Sequence, residues 1–198
     1  MSVVIAIKKN DRIYMATDTL TSCGEVGTTY LGKDSRKICQ FENGILLGHT
    51  GSVHNWQIVR SHPEYFTIPE DGIMTKKYVV QNIIPRIHKC YRDYEMIVKE
   101  EDEPAKMEES YILAFKDKMF VIDGVFCVEA LDHFAEIGSG GDVTLAGLRW
   151  LDVQESMDGD QINKSLVDIL RISASRTRSV AAPFYLVDTA EQKFTLAE

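Results

Sequence analysis

The sequence predicts an α+β fold in which two stacked antiparallel sheets carry two helices on each outer side. The first observation is the order of elements: strand-like runs, two helical stretches, strands, two more helical stretches and two closing strands. Grouped strands followed by grouped helices favour α+β over the alternating pattern of a parallel sheet. The second is punctuation, because Asn43-Gly44 and Asp158-Gly159 mark turns between apolar runs. The third is size: 198 residues, 44% of them hydrophobic and 26% charged, supply enough interior for a core of two or more layers. No internal repeat, low-complexity tract or linker interrupts the chain, so residues 1–198 are expected to form a single domain.

Residues 3–7 and 13–16 are apolar runs on either side of Lys8-Lys9-Asn10-Asp11-Arg12, the pattern of two buried strands joined by a tight turn. The Thr- and Gly-rich stretch 19–34 has no clear period and reads as a loop with room for one short ribbon. Residues 36–41 and 44–48 flank Asn43-Gly44 as a second hairpin, so four strands are expected before any helix. The first helix begins near Ser52, where Val53, Trp56, Ile58 and Val59 recur close to helical spacing, and ends by Pro63. A longer one follows Asp71-Gly72, with Tyr78, Val79, Ile83, Ile87 and Cys90 among its markers and a kink predicted at Pro85.

Lys99-Glu-Glu-Asp-Glu-Pro104 reads as a solvated turn in a charged loop that runs to Glu109. Strands are predicted again at 111–115 and 119–122, around Lys116-Asp117-Lys118, and at 125–130 and 134–137. Gly138-Ser-Gly-Gly141 opens a third helix, and Asp160 is the expected N-cap of a fourth that carries Ile162, Leu166, Val167, Leu170 and Ile172. Residues 184–187 and 194–196 close the chain as strands.

Composition narrows the function classes. A net charge of −8 argues against nucleic-acid binding, which normally needs a basic stripe. No apolar run approaches the ~20 residues of a membrane span, and the N-terminus lacks the pattern of a signal peptide, so a cytoplasmic location with no membrane contact is expected. Cys23, Cys39, Cys90 and Cys127 form no close pair and the five histidines show no ligand spacing, so neither a metal nor another cofactor is expected. His49 and His54 read as structural or exposed residues.

The first hairpin is where chemistry is concentrated. Its strand starts at the second residue; if Met1 is trimmed, Ser2 carries a hydroxyl and a free α-amine together, and the return strand brings Asp18 beside it. Three further features stand in order behind it: Arg36-Lys37-Ile38, Gly48-His-Thr-Gly-Ser52 leading into a helix, and Ile137-Gly-Ser-Gly-Gly141 before another. The ordered set resembles the proteasome β-subunit family, and within it the bacterial HslV-type ring protease, most strongly over residues 2–60 and 134–151.

The resemblance implies a four-layer αββα sandwich and an N-terminal nucleophile hydrolase. It assigns Ser2 to the position of the family's nucleophilic threonine, and Asp18 to the carboxylate that ends the second strand. Lys37 matches the lysine on the third strand and Gly51 the oxyanion-hole glycine. Ser139 and Ser179 match serines near the nucleophile, and Ser22 a substrate-binding threonine. A polypeptide substrate, a homo-oligomeric ring and an AAA+ unfoldase partner are implied with them. The chemistry suits the residue types. A serine hydroxyl needs a base to take its proton, and an α-amine with an ordinary pKa of about 7.7–8.0 is partly free near neutrality. A nearby Lys37 ammonium would enlarge that free fraction by repulsion, Asp18 would hold Lys37, and the Gly51 N–H would stabilise the oxyanion.

The sequence departs from the family in three ways. Serine replaces threonine, Met1 precedes Ser2, and Arg176 stands where the family carries an aspartate three residues before Ser179, with Val180-Ala181 in place of a glycine pair. A cation there would repel Lys37 or pair with Asp18. Two alternatives to an active peptidase follow: a ring-forming subunit that kept the fold and lost the chemistry, and an amidase for a small amide.

Overall fold

The computed structural model describes residues 2–23, 26–99 and 104–198. β1 (Val3–Lys9) and β2 (Arg12–Asp18) form the predicted hairpin, turned at Asn10 and Asp11 with φ of 52° and 56°. Two consecutive residues at positive φ give the turn whose twist suits a hairpin, and Asn and Asp tolerate that region. The 19–34 stretch holds a ribbon, β3 (Leu20–Cys23) with β4 (Val26–Thr29), before β5 (Ile38–Gln40) and β6 (Leu46–Thr50). Among the described residues six strands, with a short 3-10 turn at Lys33–Ser35 after the fourth, therefore precede the first α-helix, where four strands were expected. The ribbon's strands are rich in threonine and serine, so no apolar alternation marks them.

α1 (Val53–Arg60) starts at Ser52, whose hydroxyl accepts the Asn55 N–H at 3.4 Å. The long helix that follows is α over α2 (Lys76–Tyr78), π over Val79–Ile83 and α again over α3 (Ile84–Asp93). The irregularity predicted at Pro85 takes this form. Proline has no N–H to give to the residue four before it, and the widened turn, in which the Ile84 N–H reaches Val79 O, spans the gap. Residues 100–103 of the charged loop lie outside the described residues.

β7 (Ser110–Phe115) and β8 (Lys118–Ile122) form the next hairpin. β9 (Val128–Leu131) begins later than expected, because Asp123 Oδ1 accepts the Val125 and Cys127 N–H groups and ties residues 123–127 into a turn. After β10 (Phe134–Gly138) come α4 (Gly141–Asp152) and α5 (Gly159–Arg176). The N-cap of α5 is Asp158, not Asp160. Its carboxylate accepts the Gln161 N–H at 2.8 Å while Gln161 Oε1 accepts the Asp158 N–H at 2.9 Å, a reciprocal box that Asp160 cannot make. β11 (Phe184–Asp188) and β12 (Thr195–Ala197) complete the chain.

The strands form two five-stranded antiparallel sheets, β10-β1-β2-β11-β12 and β5-β6-β7-β8-β9. Period-two alternation in β1 sorts the core. Val3, Ile5 and Ile7 pack toward α4 and α5, whereas Val4 and Ala6, with Ile13 and Met15, pack against Ile38, Leu46, Ile112 and Ala114 of the second sheet. On that sheet's far side Ile45, Leu47 and Leu113 meet Trp56, Ile83, Ile87 and Tyr91 from the helices. The result is an αββα sandwich, as expected. Gly48 sets how closely the sheets approach: a Cβ there would lie 2.7 Å from Val4 Cγ1. Among the described residues no helix is long and apolar enough to cross a membrane.

Candidate active site

Ser2 stands at the head of β1, the second strand of its sheet, and its backbone is held on both sides. Its carbonyl oxygen accepts the Ser139 N–H at 2.8 Å, and the next N–H, that of Val3, donates to Asp18 Oδ1 at 3.1 Å. Val3 O accepts the Thr17 hydroxyl at 2.7 Å. Gly138 makes the close approach possible: it has φ of 102°, and a Cβ there would fall 2.1 Å from Ser2 O. Ser2 itself is buried.

Asp18, at the end of β2, is 1% exposed and accepts three hydrogen bonds, from Lys37 Nζ at 2.6 Å, the Val3 N–H and the Leu20 N–H at 3.1 Å. Lys37, just before β5, also donates to Leu20 O at 2.7 Å. Burial pushes the Asp18 carboxyl up and the Lys37 ammonium down, each toward its neutral form, and their mutual attraction opposes both shifts. The two amide donors add to the ionised side for Asp18. The anticipated alternative, Arg176 paired with Asp18, does not occur: Arg176 is an exposed residue at the end of α5.

Ser2, Lys37 and Gly51 line one cavity of about 500 Å³, together with Thr21, Tyr30, Asp34, His49, Ser52, Val53 and Trp56. Gly51 carries φ of 133°, a conformation open to glycine. His49 is buried at 3% exposure, stacked on Trp56 with centroids 4.8 Å apart. Burial, reinforced by repulsion from Lys37, pushes its pKa down to about 3, so the imidazole is neutral.

On the other side of Ser2, Ser139 and Ser179 come together at 2.7 Å between hydroxyls, and the Ser139 hydroxyl also lies 3.3 Å from Ser2 O. Ser139 is not the N-cap of α4; Gly140 holds that place with no side-chain bond. The third member of the hydroxyl cluster is Thr177, 2.6 Å from Ser179 Oγ. Sequence reading missed it by looking three residues before Ser179, at Arg176, where α5 is still turning outward. It missed Glu109 as well, which is 0% exposed and sits against Gly51. Ser22 pairs with Gly27 in the ribbon, and its side chain lies outside the described residues, as does Met1.

Seven residues were singled out from sequence. The structure brings Ser2, Asp18, Lys37, Ser139 and Ser179 into one bonded neighbourhood and puts Gly51 on the cavity that Ser2 and Lys37 line. Such an arrangement can present a hydroxyl to a bound carbonyl beside a buried cation.

No protein-family model matches the chain. It is 24% identical over 170 residues to the ATP-dependent protease subunit HslV of Caldicellulosiruptor saccharolyticus, covering 85% of this chain and 88% of that protein. Among solved structures it superposes on Thiobacillus denitrificans BPH with a TM-score of 0.73 at 18% identity, over 94% of this chain and 96% of that one. The eukaryotic HslV of Trypanosoma brucei gives a TM-score of 0.63 at 16% identity, over 94% and 98%. The order of motifs in the sequence, the αββα sandwich and these relationships agree: the chain has the fold of the HslV and proteasome-like structures and is similar in sequence to HslV.

Proposed function

We propose that this protein is a peptidase subunit that hydrolyses peptide bonds through Ser2 as an N-terminal nucleophile, within a homo-oligomeric ring supplied by an AAA+ unfoldase. The observation that carries the reading is the buried Lys37–Asp18 pair at 2.6 Å on the cavity that Ser2 and Gly51 share. A buried ion pair is costly to keep and gives little stability by itself, so its place beside a hydroxyl argues for chemistry.

In this reading the α-amine of Ser2 takes the hydroxyl proton as Oγ adds to the substrate carbonyl. The Gly51 N–H stabilises the oxyanion. Collapse of the tetrahedral intermediate breaks the C–N bond, and the amine product leaves with the proton. Water, deprotonated by the same α-amine, then hydrolyses the acyl ester and restores Ser2. Lys37 keeps the α-amine in its free-base form by like-charge repulsion, and Asp18 keeps Lys37 in place. Ser22 would contact the substrate chain, and Ser139, Ser179 and Thr177 would hold the Ser2 carbonyl.

The test is a fluorophosphonate probe on protein whose first residue is Ser2, read by intact mass. We expect one adduct on the native protein and none on Ser2→Ala. Equal labelling of the two would rule the reading out.

One observation favours a second reading, an inert ring subunit of the same fold: the cluster behind Ser2 holds hydroxyls only, and Arg176, where a carboxylate was expected, is exposed. The mass of the protein isolated from its native source separates the two. Retained Met1 leaves residue 2 with an amide nitrogen that cannot act as a base and supports the inert subunit. Loss of Met1 supports the enzyme.

A further inference from the structure

Glu109 belongs to no part of the machinery described so far. It directly precedes β7, at the end of a stretch that sequence alone marks as a charged surface loop, yet its side chain is fully buried. Oε1 accepts the Asn55 side-chain amide at 2.7 Å and the Ser52 N–H at 3.3 Å, and Oε2 accepts the Tyr91 hydroxyl at 2.8 Å. Tyr91 in turn lies 2.6 Å from the Tyr111 hydroxyl. The donors come from three places: the start of α1, the last turn of α3 and, one step further, β7. All of them are neutral. Burial, and the neighbouring Tyr111 and Glu109, push the Tyr91 phenol far up, so it remains a donor.

The side chain also forms the wall behind Gly51. A Cβ on Gly51 would lie 2.8 Å from Glu109 Cγ, 3.1 Å from its Cα and 3.2 Å from Glu108 O. The turn is therefore packed on one side and hydrogen-bonded at the very next amide. Gly51 at φ of 133° has wide backbone freedom and no side chain to anchor it. Something else must fix the direction of its N–H, and Glu109 is the group in position to do so.

We propose that Glu109 is a positioning residue: its buried carboxylate fixes the Gly51–Ser52 turn so that the Gly51 N–H points at the carbonyl attacked by Ser2. The proposal rests on the reading of Ser2 and Gly51 given above, and it makes a separate physical claim about the turn. A helix-capping role alone would loosen α1 and leave the chemical step unchanged. A positioning role alters acylation and leaves substrate affinity alone, because a small misplacement of a transition-state donor is felt in the rate. The role is geometric, so glutamine should serve. Its carbonyl can accept from Ser52 and Asn55, and its amide can donate to Tyr91, whose hydroxyl then turns to Tyr111.

The experiment compares the Ser2-initiated protein with Glu109→Ala and Glu109→Gln in two readouts. In the first, hydrogen exchange at the Gly51 and Ser52 amides is expected to quicken at least about 10-fold in Glu109→Ala, out of proportion to the rest of α1, and to stay near the native rate in Glu109→Gln. In the second, acylation by a fluorogenic peptide amide should slow about 10- to 100-fold in Glu109→Ala with KM within about twofold, and return to within about threefold in Glu109→Gln. A folded Glu109→Ala with native exchange at both amides would overturn the proposal, as would a change in KM alone. If the native protein fails to acylate, the peptidase reading falls, and the exchange result still decides the role of Glu109. If Glu109→Ala does not fold, Asn55→Ala and Tyr91→Phe each remove one anchor and keep the carboxylate. Either one should then show the same exchange signature in weaker form, and native exchange in both would overturn the proposal.

Discussion

Two buried carboxylates flank the candidate site, and they are held in opposite ways. Asp18 ends a strand of the first sheet and faces a cation, Lys37, with two backbone amides completing its shell. Glu109 precedes a strand of the second sheet and faces amide and hydroxyl donors. The partner decides what a buried charge can do. Beside Lys37, the Asp18 charge governs the protonation of its neighbours. Surrounded by neutral donors, the Glu109 charge is spread over three hydrogen bonds and works as a fixture. A carboxylate whose charge matters cannot be replaced by its amide, and one whose shape matters can.

The largest effect is expected where charge is removed. Asp18→Asn leaves Lys37 buried without its counter-ion and should cost roughly 3–5 kcal/mol in urea unfolding, with loss of probe labelling. Adding Lys37→Met to Asp18→Asn should recover most of that stability and none of the labelling. Recovery of labelling would show that the pair serves the fold alone.

His49 joins the two regions, since it is repelled by Lys37 and its ring lies 5.4 Å from that of Tyr111. Its folded pKa of about 3 lies below its ordinary value of 6.5, so the unfolded chain takes up a proton first as pH falls. Stability is full above pH 6.5 and is lost as pH drops toward 3. Between pH 6.5 and 4.5 the native protein should lose roughly 2–3 kcal/mol that His49→Phe does not lose. Parallel urea curves for the two proteins would contradict this.

Smaller effects belong to the neutral and exposed groups. Ser179→Ala breaks a hydroxyl bond on each side and should cost about 1 kcal/mol, with a labelling rate lowered several-fold at most. Arg176→Asp, at an exposed helix end, should change stability by no more than about 0.5 kcal/mol and labelling by less than about threefold. A large gain in labelling there would mean that the hydroxyl cluster lacks a charge it can use.

Much of the fold could be read from the chain because its signals are local. The strands β1, β2, β6, β7 and β8 announce themselves as apolar runs bounded by turn residues. Ser52 and the Val53, Trp56, Val59 spacing announce α1. The threonine-rich ribbon lacked that alternation. The capping box needed both Asp158 and Gln161 to be weighed against the more obvious Asp160. Within the site, Asp18 and Lys37 were found through the family's order of motifs; taken singly, neither differs from an ordinary turn or edge residue. Glu109 was illegible for a different reason. Its burial depends on donors 54 and 18 residues away in sequence, at Asn55 and Tyr91, and a glutamate within an acidic run gives no sign of them.

The π turn at Val79–Ile83 also sets a clock for the helix that follows it. One extra residue in a single turn advances every later side chain by about 100° around the axis. Tyr91 owes its place opposite Glu109 to that added step. Closing 79–83 to ordinary α geometry with every residue kept would carry the Tyr91 hydroxyl away from the carboxylate and bring a neighbour of different character into its place, whereas removing one residue as the turn closes would leave it in phase. An apparent imperfection beside a proline is thus what keeps a distant tyrosine in phase with the turn it braces.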